Sequence, residues 1–236
     1  LLINFTVFFL KALIEFCHPD TLPTGSKLGT VVAIHGAPGS HKDFKYITPL
    51  LQNKGIRFIG VNMPGFGFTP VFLDDPRLQC NNTERNSFVN ELIAKIGNVE
   101  KLVVMGHSRG SENAIAIAES LVGLVLVNPT GLQRHRAQRP FWVVEFVLWL
   151  YSLGPTAKKV LHPFMKYFYN NVIGLRLDTG ERAMMWIRAH IESINKCKNA
   201  RVLVVYAGKD MLIETKIPHE LACSFDGHID LVSALL

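Results

Sequence analysis

Residues 102–121, LVVMGHSRGSENAIAIAESL, constrain this chain more than any other stretch. Residues 102–105 form an apolar run that reads as a buried strand. Gly106-His107-Ser108-Arg109-Gly110 comes next, and then Ala114, Ile117, Ala118 and Leu121 recur at helical spacing, with Ile115 widening the same face. A strand that feeds a helix through five residues, with glycine at both ends, leaves the middle residue at the tip of a sharp turn. Gly106 and Gly110 carry no Cβ and leave room for strand and helix to approach each other. Ser108 then holds its hydroxyl above the helix N-terminus, whose unpaired N–H groups and partial positive charge favour a developing anion. The pattern is that of an exposed nucleophilic serine. The competing reading is a glycine-rich turn in which Ser108 only caps the helix.

Strands and helices alternate around this unit. Residues 30–34 (TVVAI) are β-branched and apolar and predict a buried strand. His35-Gly36-Ala37-Pro38-Gly39-Ser40 follows, a small-residue loop whose backbone N–H groups can turn toward a ligand. Phe44, Ile47, Leu50 and Leu51 predict a helix ending near Gly55, strained or kinked by Pro49. Residues 56–61 predict another strand, closed by a turn at Pro64, Gly65 and Gly67. Phe88, Leu92 and Ile96 mark the inward face of a second helix. Residues 123–127 (GLVLV) and 202–206 (VLVVY) predict two more strands, the last leading to Asp210. An acid directly after a late strand can orient a histidine, or can simply close a turn. This alternation predicts an α/β fold, a mostly parallel sheet with helices on both faces. Ligands of such sheets bind beyond the carboxyl ends of the strands, so the HGAPGS loop, the elbow and the NPTG loop converge on one side.

The pattern breaks over residues 131–199, which turn helical and aromatic (FWVVEFVLWLYSLG, VLHPFMKYFYNN, ERAMMWIRAHIESI). The stretch is too long for an ordinary connection. It predicts a helical cap inserted over the active edge, with residues 1–130 and 200–236 as the core. The apolar run at 141–153 has two readings: a helix facing substrate or a membrane surface, or one packed on its neighbours. At the start of the chain, Lys11 and Glu15 interrupt an apolar run that is short for a membrane span, and one or two opening strands are expected.

Charge and cysteine usage narrow the function further. The sequence has 25 basic and 19 acidic residues, a formal charge of +6, without aromatics interleaved among the charges. A nucleic-acid partner is not expected. Arg134, Arg136, Arg139, Lys158 and Lys159 form a solvated basic face or a weak attraction for anionic membranes or substrates. Cys17, Cys80, Cys197 and Cys223 show neither a C-x-x-C pair nor metal-ligand spacing, so buried free thiols in a reducing compartment, the cytosol, are expected. The triplets at Asn4 and Asn81 match the glycosylation acceptor pattern and keep the compartment open. The oligomeric state is left open as well.

HGAPG after one strand, GHSRG after another and AGKD after a third, in this order, resemble the α/β-hydrolase superfamily. The resemblance runs from about residue 30 to residue 210, with 131–199 in the place of the variable cap. DTLPTGS, GTVVAIHGAPGSHKDFKYI and GVNMPGFGFT further resemble a nematode group of proteins with this fold, a match that brings no substrate with it. The resemblance implies Ser108 as nucleophile, the backbone N–H groups of Ala37 and Arg109 as oxyanion hole, and Asp210 as the acid. It implies loop and elbow support from His35, Gly36, Gly106, His107 and Gly110. Serine rather than aspartate at the elbow argues against the haloalkane dehalogenase and epoxide hydrolase branches.

Family order places the catalytic histidine after the acid, which leaves His219 and His228. Asp226-Gly227-His228 mimics the family's Gly-His ending, and His228 is taken as the base. The family usually fits a helix and one more strand between acid and base, whereas here the strand begins at His228. Two other readings therefore stand: a base beyond Leu236 in a longer chain, and a fold without catalysis. The expected activity is a serine hydrolase acting on an ester, thioester or amide of a lipophilic acyl group, with no metal or organic cofactor. The rival is a non-catalytic binding or scaffolding protein.

Overall fold

In a computed structural model of the chain, residues 2–9, 12–66, 69, 81–99, 101–118, 123–133, 180–197, 200–227 and 229–234 are described, with isolated positions between 146 and 163. The chain opens as an antiparallel hairpin of β1 (Leu2–Phe9) and β2 (Ala12–Pro19), in register from Leu2 opposite Pro19 to Phe9 opposite Ala12. Six further strands build one parallel sheet: β3 (Thr30–Ile34), β4 (Arg57–Val61), β5 (Leu102–His107), β6 (Gly123–Val127), β7 (Arg201–Ala207) and β8 (Ile229–Ala234). Their order is β4-β3-β5-β6-β7-β8. The chain passes from β3 outward to β4, crosses back to β5 and then continues outward on the other side. The direction reverses between β3 and β5, and the loops leaving those two strands flank the crevice where such sheets bind ligands.

Helices cover both faces, as near-continuous apolar strands require. Along β3, Val32 and Ile34 pack into one core with Phe88, Leu92, Val104, Ala114 and Leu126. Val31 and Ala33 pack on the opposite face with Phe44, Phe58 and Met105. The helices are α1 (Ile47–Asn53), α2 (Asn82–Ile96), α3 (Gly110–Ile117), α4 (Gly180–Asn195) and α5 (Lys216–Cys223). Among the described residues, no helix is long and apolar enough to cross a membrane.

Several local expectations are corrected. The predicted helix from Phe44 to Gly55 is two elements, a 3₁₀ turn (His41–Phe44) and α1. Pro49 is the third residue of α1 and does not kink it, because the N–H it lacks has no acceptor in the first turn. Leu50, placed on the inward face by periodicity, is exposed, while Phe44 is buried. Helix α3 stops at Ile117 with Ala118 as its cap, and Leu121 lies outside the described residues. Cys223 is exposed at the end of α5 instead of buried. Within the stretch read as a cap, Ile187, Ile191 and Ile194 lie one helical turn apart and are buried in the same core as Ala114. The C-terminal half of α4 is thus part of the layer that covers the sheet.

One interaction unseen in the sequence ties the hairpin to the sheet. Arg57 and Asp20 are each 1% exposed, and Arg57 Nη2 lies 2.7 Å from Asp20 Oδ2. Arg57 Nε donates to Asp20 Oδ1 at 3.1 Å, and Nη1 donates to the Gly97 and Asn98 carbonyls at 3.0 and 3.3 Å. The guanidinium therefore joins the end of β2, the start of β4 and the C-terminus of α2. Removing one member of such a pair leaves a buried charge uncompensated, a loss of about 3–5 kcal/mol. Asp20→Ala is expected to lower the stability measured by urea denaturation by that order. Asp20→Leu combined with Arg57→Met should recover most of the loss.

Candidate active site

The elbow is built by the sheet and by missing side chains. β5 ends at His107, and Ser108 adopts φ +50, a left-handed conformation uncommon for a residue with a Cβ. Its N–H donates to the Val127 carbonyl at 2.9 Å, so pairing with β6 continues while the chain already turns. The Ser108 carbonyl accepts from the Ser111 N–H at 3.0 Å and from Ser111 Oγ at 2.6 Å, and α3 begins at Gly110. Ser108 Oγ makes no hydrogen bond with any described residue. A Cβ at Gly106 would lie 2.7 Å from Ala114 Cβ, and one at Gly110 would run into the Ile34 and His35 carbonyl oxygens. The loop after β3 presses on the turn as closely: a Cβ at Gly36 would lie 3.0 Å from Ser108 Cβ and 3.3 Å from His107 Nδ1. Ala37, next to Gly36, and Arg109, the residue before α3, are thereby brought to the same edge as Ser108.

His35 organises the β3 loop from inside. The Met63 N–H donates to His35 Nε2 at 3.1 Å, so that nitrogen is unprotonated. Nδ1 therefore carries the proton and donates to the Gly36 carbonyl at 2.6 Å. Burial is the main cause that pushes the His35 pKa below its ordinary value, and nearby His107 and Arg85 push the same way. The Gly36 hydrogen bond and Asp43 oppose the shift without cancelling it.

Asp43 was missed in the sequence. It sits in the 3₁₀ turn, its Oδ1 accepting from the Ser40 N–H at 3.4 Å and its Oδ2 3.9 Å from His107 Nδ1. The latter distance is an ion-pair separation, too long for a hydrogen bond. Burial pushes the Asp43 carboxyl up, but His107 and the Ser40 amide outweigh it and hold the pKa below 3.8. The signal was present as Ser40-x-x-Asp43, a capping pattern.

Asp210 follows the carboxyl end of β7, two strands along from β5. Its Oδ1 accepts from the Leu212 and Ile213 N–H groups at 2.7 and 3.0 Å, which closes the turn. Its Oδ2 has no hydrogen-bond partner among the described residues. The end of β7 is set by Asn128, another residue not singled out from the sequence. Asn128 adopts φ +43, accepts the Ala207 N–H on Oδ1 at 2.7 Å and donates its own N–H to Val205 at 2.7 Å. His219 is held by Tyr206, whose hydroxyl is 2.7 Å from His219 Nε2. His228 lies outside the described residues. Its described neighbours Gly227 and Ile229 stand at the start of β8, where Ile229 is level with Val202, whereas the elbow stands at the strands' carboxyl ends.

A narrow crevice opens beside the elbow, with Gly36, Ala37, Arg85, Arg109, Gly110 and Asn113 among the residues that line it. Among the described residues no group of His, Cys, Asp and Glu is gathered as a metal would require.

A parallel sheet ordered in this way, with a left-handed serine between β5 and α3, defines the α/β-hydrolase fold. The chain belongs to the family described as "Alpha/beta hydrolase of unknown function (DUF1057)", which matches residues 11–233. It is 32% identical over 235 residues to the uncharacterized Caenorhabditis elegans protein F35H12.5, covering 90% of this chain and 65% of that one, so it spans about two thirds of its relative. Among solved structures it is similar to an esterase from Exiguobacterium antarcticum, at 17% identity and TM-score 0.64, covering 98% of this chain and 90% of the esterase. It is similar to the Paleococcus ferrophilus monoacylglycerol lipase at 20% identity and TM-score 0.63, covering 92% and 88%. It is also similar to the haloalkane dehalogenase DpaA from Paraglaciecola agarilytica at 14% identity and TM-score 0.69, covering 98% and 85%. Similarity at these identities is similarity of fold.

Two outcomes follow from the site's packing. Gly110→Ala places a methyl against backbone and is expected to cost more than the roughly 1–3 kcal/mol of an overpacked core, read as a lowered urea midpoint. His35 sets a sign for pH. Its folded pKa is below the unfolded 6.5, so its full contribution is present above 6.5 and declines as pH falls, because the unfolded chain takes up the proton first. Asp43, with its folded pKa below 3.8, loses its contribution only at more acid pH. The urea midpoint is expected to fall between about pH 7 and about pH 5, and to fall less in His35→Gln.

Proposed function

We propose that this protein is a serine hydrolase that cleaves a carboxylic ester, thioester or amide through an acyl-enzyme on Ser108. The observation that carries this reading is the left-handed Ser108 at a strand-to-helix turn, jammed against Gly36. Backbone strain of this kind costs about 1–3 kcal/mol and persists where the surroundings over-determine it. A helix-capping serine has no need of it.

Ser108 Oγ attacks the substrate carbonyl carbon and gives its proton to a histidine base. The tetrahedral oxyanion is held by the N–H groups of Ala37 and Arg109, each donor contributing roughly 10²–10³ in rate. The bond to the leaving group breaks as the histidine returns the proton to it. Water then attacks the acyl-serine, the same base takes the water's proton, and the acid departs with Ser108 regenerated. Asp210 Oδ2 orients the base; β7 is two strands from β5, roughly 10 Å, a gap that an interposed imidazole spans and a direct contact does not. His35 and His107 support the loop and elbow. In the stretch read as a cap, Phe146 and Trp149 stack with ring centroids 5.8 Å apart and both are exposed. They favour a lipophilic substrate.

In this reading the base is a histidine that reaches both Asp210 Oδ2 and Ser108; family order points to His228, whose described neighbours stand at the start of β8. A second reading, a non-catalytic binding protein, is favoured by the register of β8, which puts the neighbours of His228 at the opposite end of the strand from Asp210. Intact-mass labelling with a fluorophosphonate separates the two. The hydrolase reading expects one adduct on the wild type, none on Ser108→Ala, and a much slower reaction in His228→Asn. A folded wild type that takes no adduct overturns it. Labelling that His228→Asn leaves unchanged moves the base elsewhere.

A further inference from the structure

We infer that the outer face of α1 docks on an anionic phospholipid bilayer. Tyr46, Leu50 and Leu28 enter the headgroup layer, and Lys27, Lys42, Lys45 and Lys54 meet its charge. This goes beyond the hydrolase reading and stands whether or not Ser108 is a nucleophile.

The 3₁₀ turn and α1 bury one side against the face of the sheet that carries Val31, Phe58 and Met105. Phe44 is buried there, and Ile47 and Leu51 pack against the same core. Helical spacing then decides the other side. Tyr46, Leu50 and Lys54 recur every four residues and are exposed, as are Lys45, Pro49 and Asn53 beside them and Lys42 one turn earlier. Tyr46 is 78% exposed and Leu50 65%. The chain turns back at Gly55, whose carbonyl accepts from Ser26 Oγ at 2.6 Å. That turn brings Leu28, 63% exposed, to the end of the same ridge, where a Cβ at Gly55 would lie 3.6 Å from Leu28 Cδ1.

Apolar side chains scattered singly over a surface are ordinary, but a row of them ringed by charge of one sign is not. Residues 21–56 contain Lys27, Lys42, Lys45 and Lys54, and Asp43 is their one carboxylate. Its Oδ2 lies 3.9 Å from His107 Nδ1, beside the elbow. Lys45 Nζ lies 4.7 Å from the centre of the Tyr46 ring, so charge and aromatic ring present themselves together.

Size selects the occupant. Helix α1 has 7 residues, and helices rise about 1.5 Å per residue, so the ridge is short. A stable protein interface draws on roughly 20–30 residues a side, far more than this ridge offers. A bilayer asks less. Tyrosine is suited to the headgroup boundary, and lysine stems lie along apolar surface while their ammonium groups reach the phosphates. Each lysine near an anionic surface strengthens binding about five-fold.

Co-sedimentation with vesicles tests this, using phosphatidylcholine mixed with phosphatidylserine, and phosphatidylcholine alone. The wild type is expected to pellet with the mixed vesicles, far less with phosphatidylcholine alone, and less as salt is raised. Tyr46→Ser combined with Leu50→Ser is expected to weaken binding about ten-fold through lost apolar insertion. Lys45→Glu combined with Lys54→Glu is expected to weaken it about twenty-fold or more. Lys196→Glu combined with Lys216→Glu removes the same net charge at exposed positions beside the end of α4 and at the start of α5, and is expected to weaken binding far less. The α1 substitutions fall on exposed side chains, so an unchanged urea midpoint is expected in both variants.

A wild type that stays in the supernatant with both kinds of vesicle overturns the inference. Binding that either α1 pair leaves unchanged overturns it, as does binding that the two lysine pairs weaken equally, which is attraction of the whole basic chain. Binding lost in Phe146→Ser combined with Trp149→Ser, and kept in the α1 variants, moves the contact to that aromatic pair and overturns it as well. A dimer in sedimentation velocity that Tyr46→Ser with Leu50→Ser dissolves, without vesicle binding, assigns the face to a second copy of the chain instead. No readout involves turnover, so failure here leaves the hydrolase reading untouched.

Discussion

The distance between two backbones governs this site. The loop after β3 and the turn after β5 come together at a separation that no side chain could enter. At Gly36, Gly106 and Gly110 an added methyl would meet Ser108, Ala114 or main-chain carbonyls. Parallel pairing of β3 with β5 brings the two strand ends level, Ile34 beside Gly106. The glycines then allow the loops beyond those ends to touch. Ser108 is held left-handed because its N–H is claimed by β6, its carbonyl is claimed by Ser111, and Gly36 closes over it.

Around that contact the interior of the loop is neutral and two arginines line its opening. His35 gives both ring nitrogens to backbone groups and is kept uncharged by burial. Asp43 sits in the 3₁₀ turn after that loop, with its Oδ2 3.9 Å from His107 Nδ1. Arg85 and Arg109 line the crevice, and the N-terminus of α3 brings its partial positive charge to the same place. A reaction that builds negative charge on a carbonyl oxygen is favoured in such a field. The sheet edge carrying Asp210 is joined to this centre through Asn128, which couples the ends of β6 and β7 by two hydrogen bonds of 2.7 Å.

The elements that periodicity could reach were legible. Residues 30–34, 102–105 and 123–127 are apolar runs bounded by small residues, and the structure has strands there, the second extended to His107. Pro49 misled because proline's effect depends on its place in the helix, which 3.6-residue spacing does not report. Asp43, Asn128 and Arg57 were passed over because their roles depend on partners far away in sequence or on loop geometry. Arg57 reads as an ordinary strand-flanking charge until Asp20, 37 residues earlier, is brought against it.

By itself the sequence determined the order of strands and helices, the parallel sheet, and the Gly-x-Ser-x-Gly turn with a nucleophilic residue type at its tip. These follow from local properties: side-chain periodicity, glycine's missing Cβ, and the chemistry of a serine hydroxyl. The tertiary structure alone decided which charges meet. It set Arg85 and Arg109 on one crevice, Asp43 beside His107, and Arg57 on Asp20. It also paired β8 with β7 so that Ile229 lies level with Val202, at the far end of the strands from Asp210. Electrostatic partners and strand ends are set by how the sheet closes on itself, and no pattern confined to one segment carries that information.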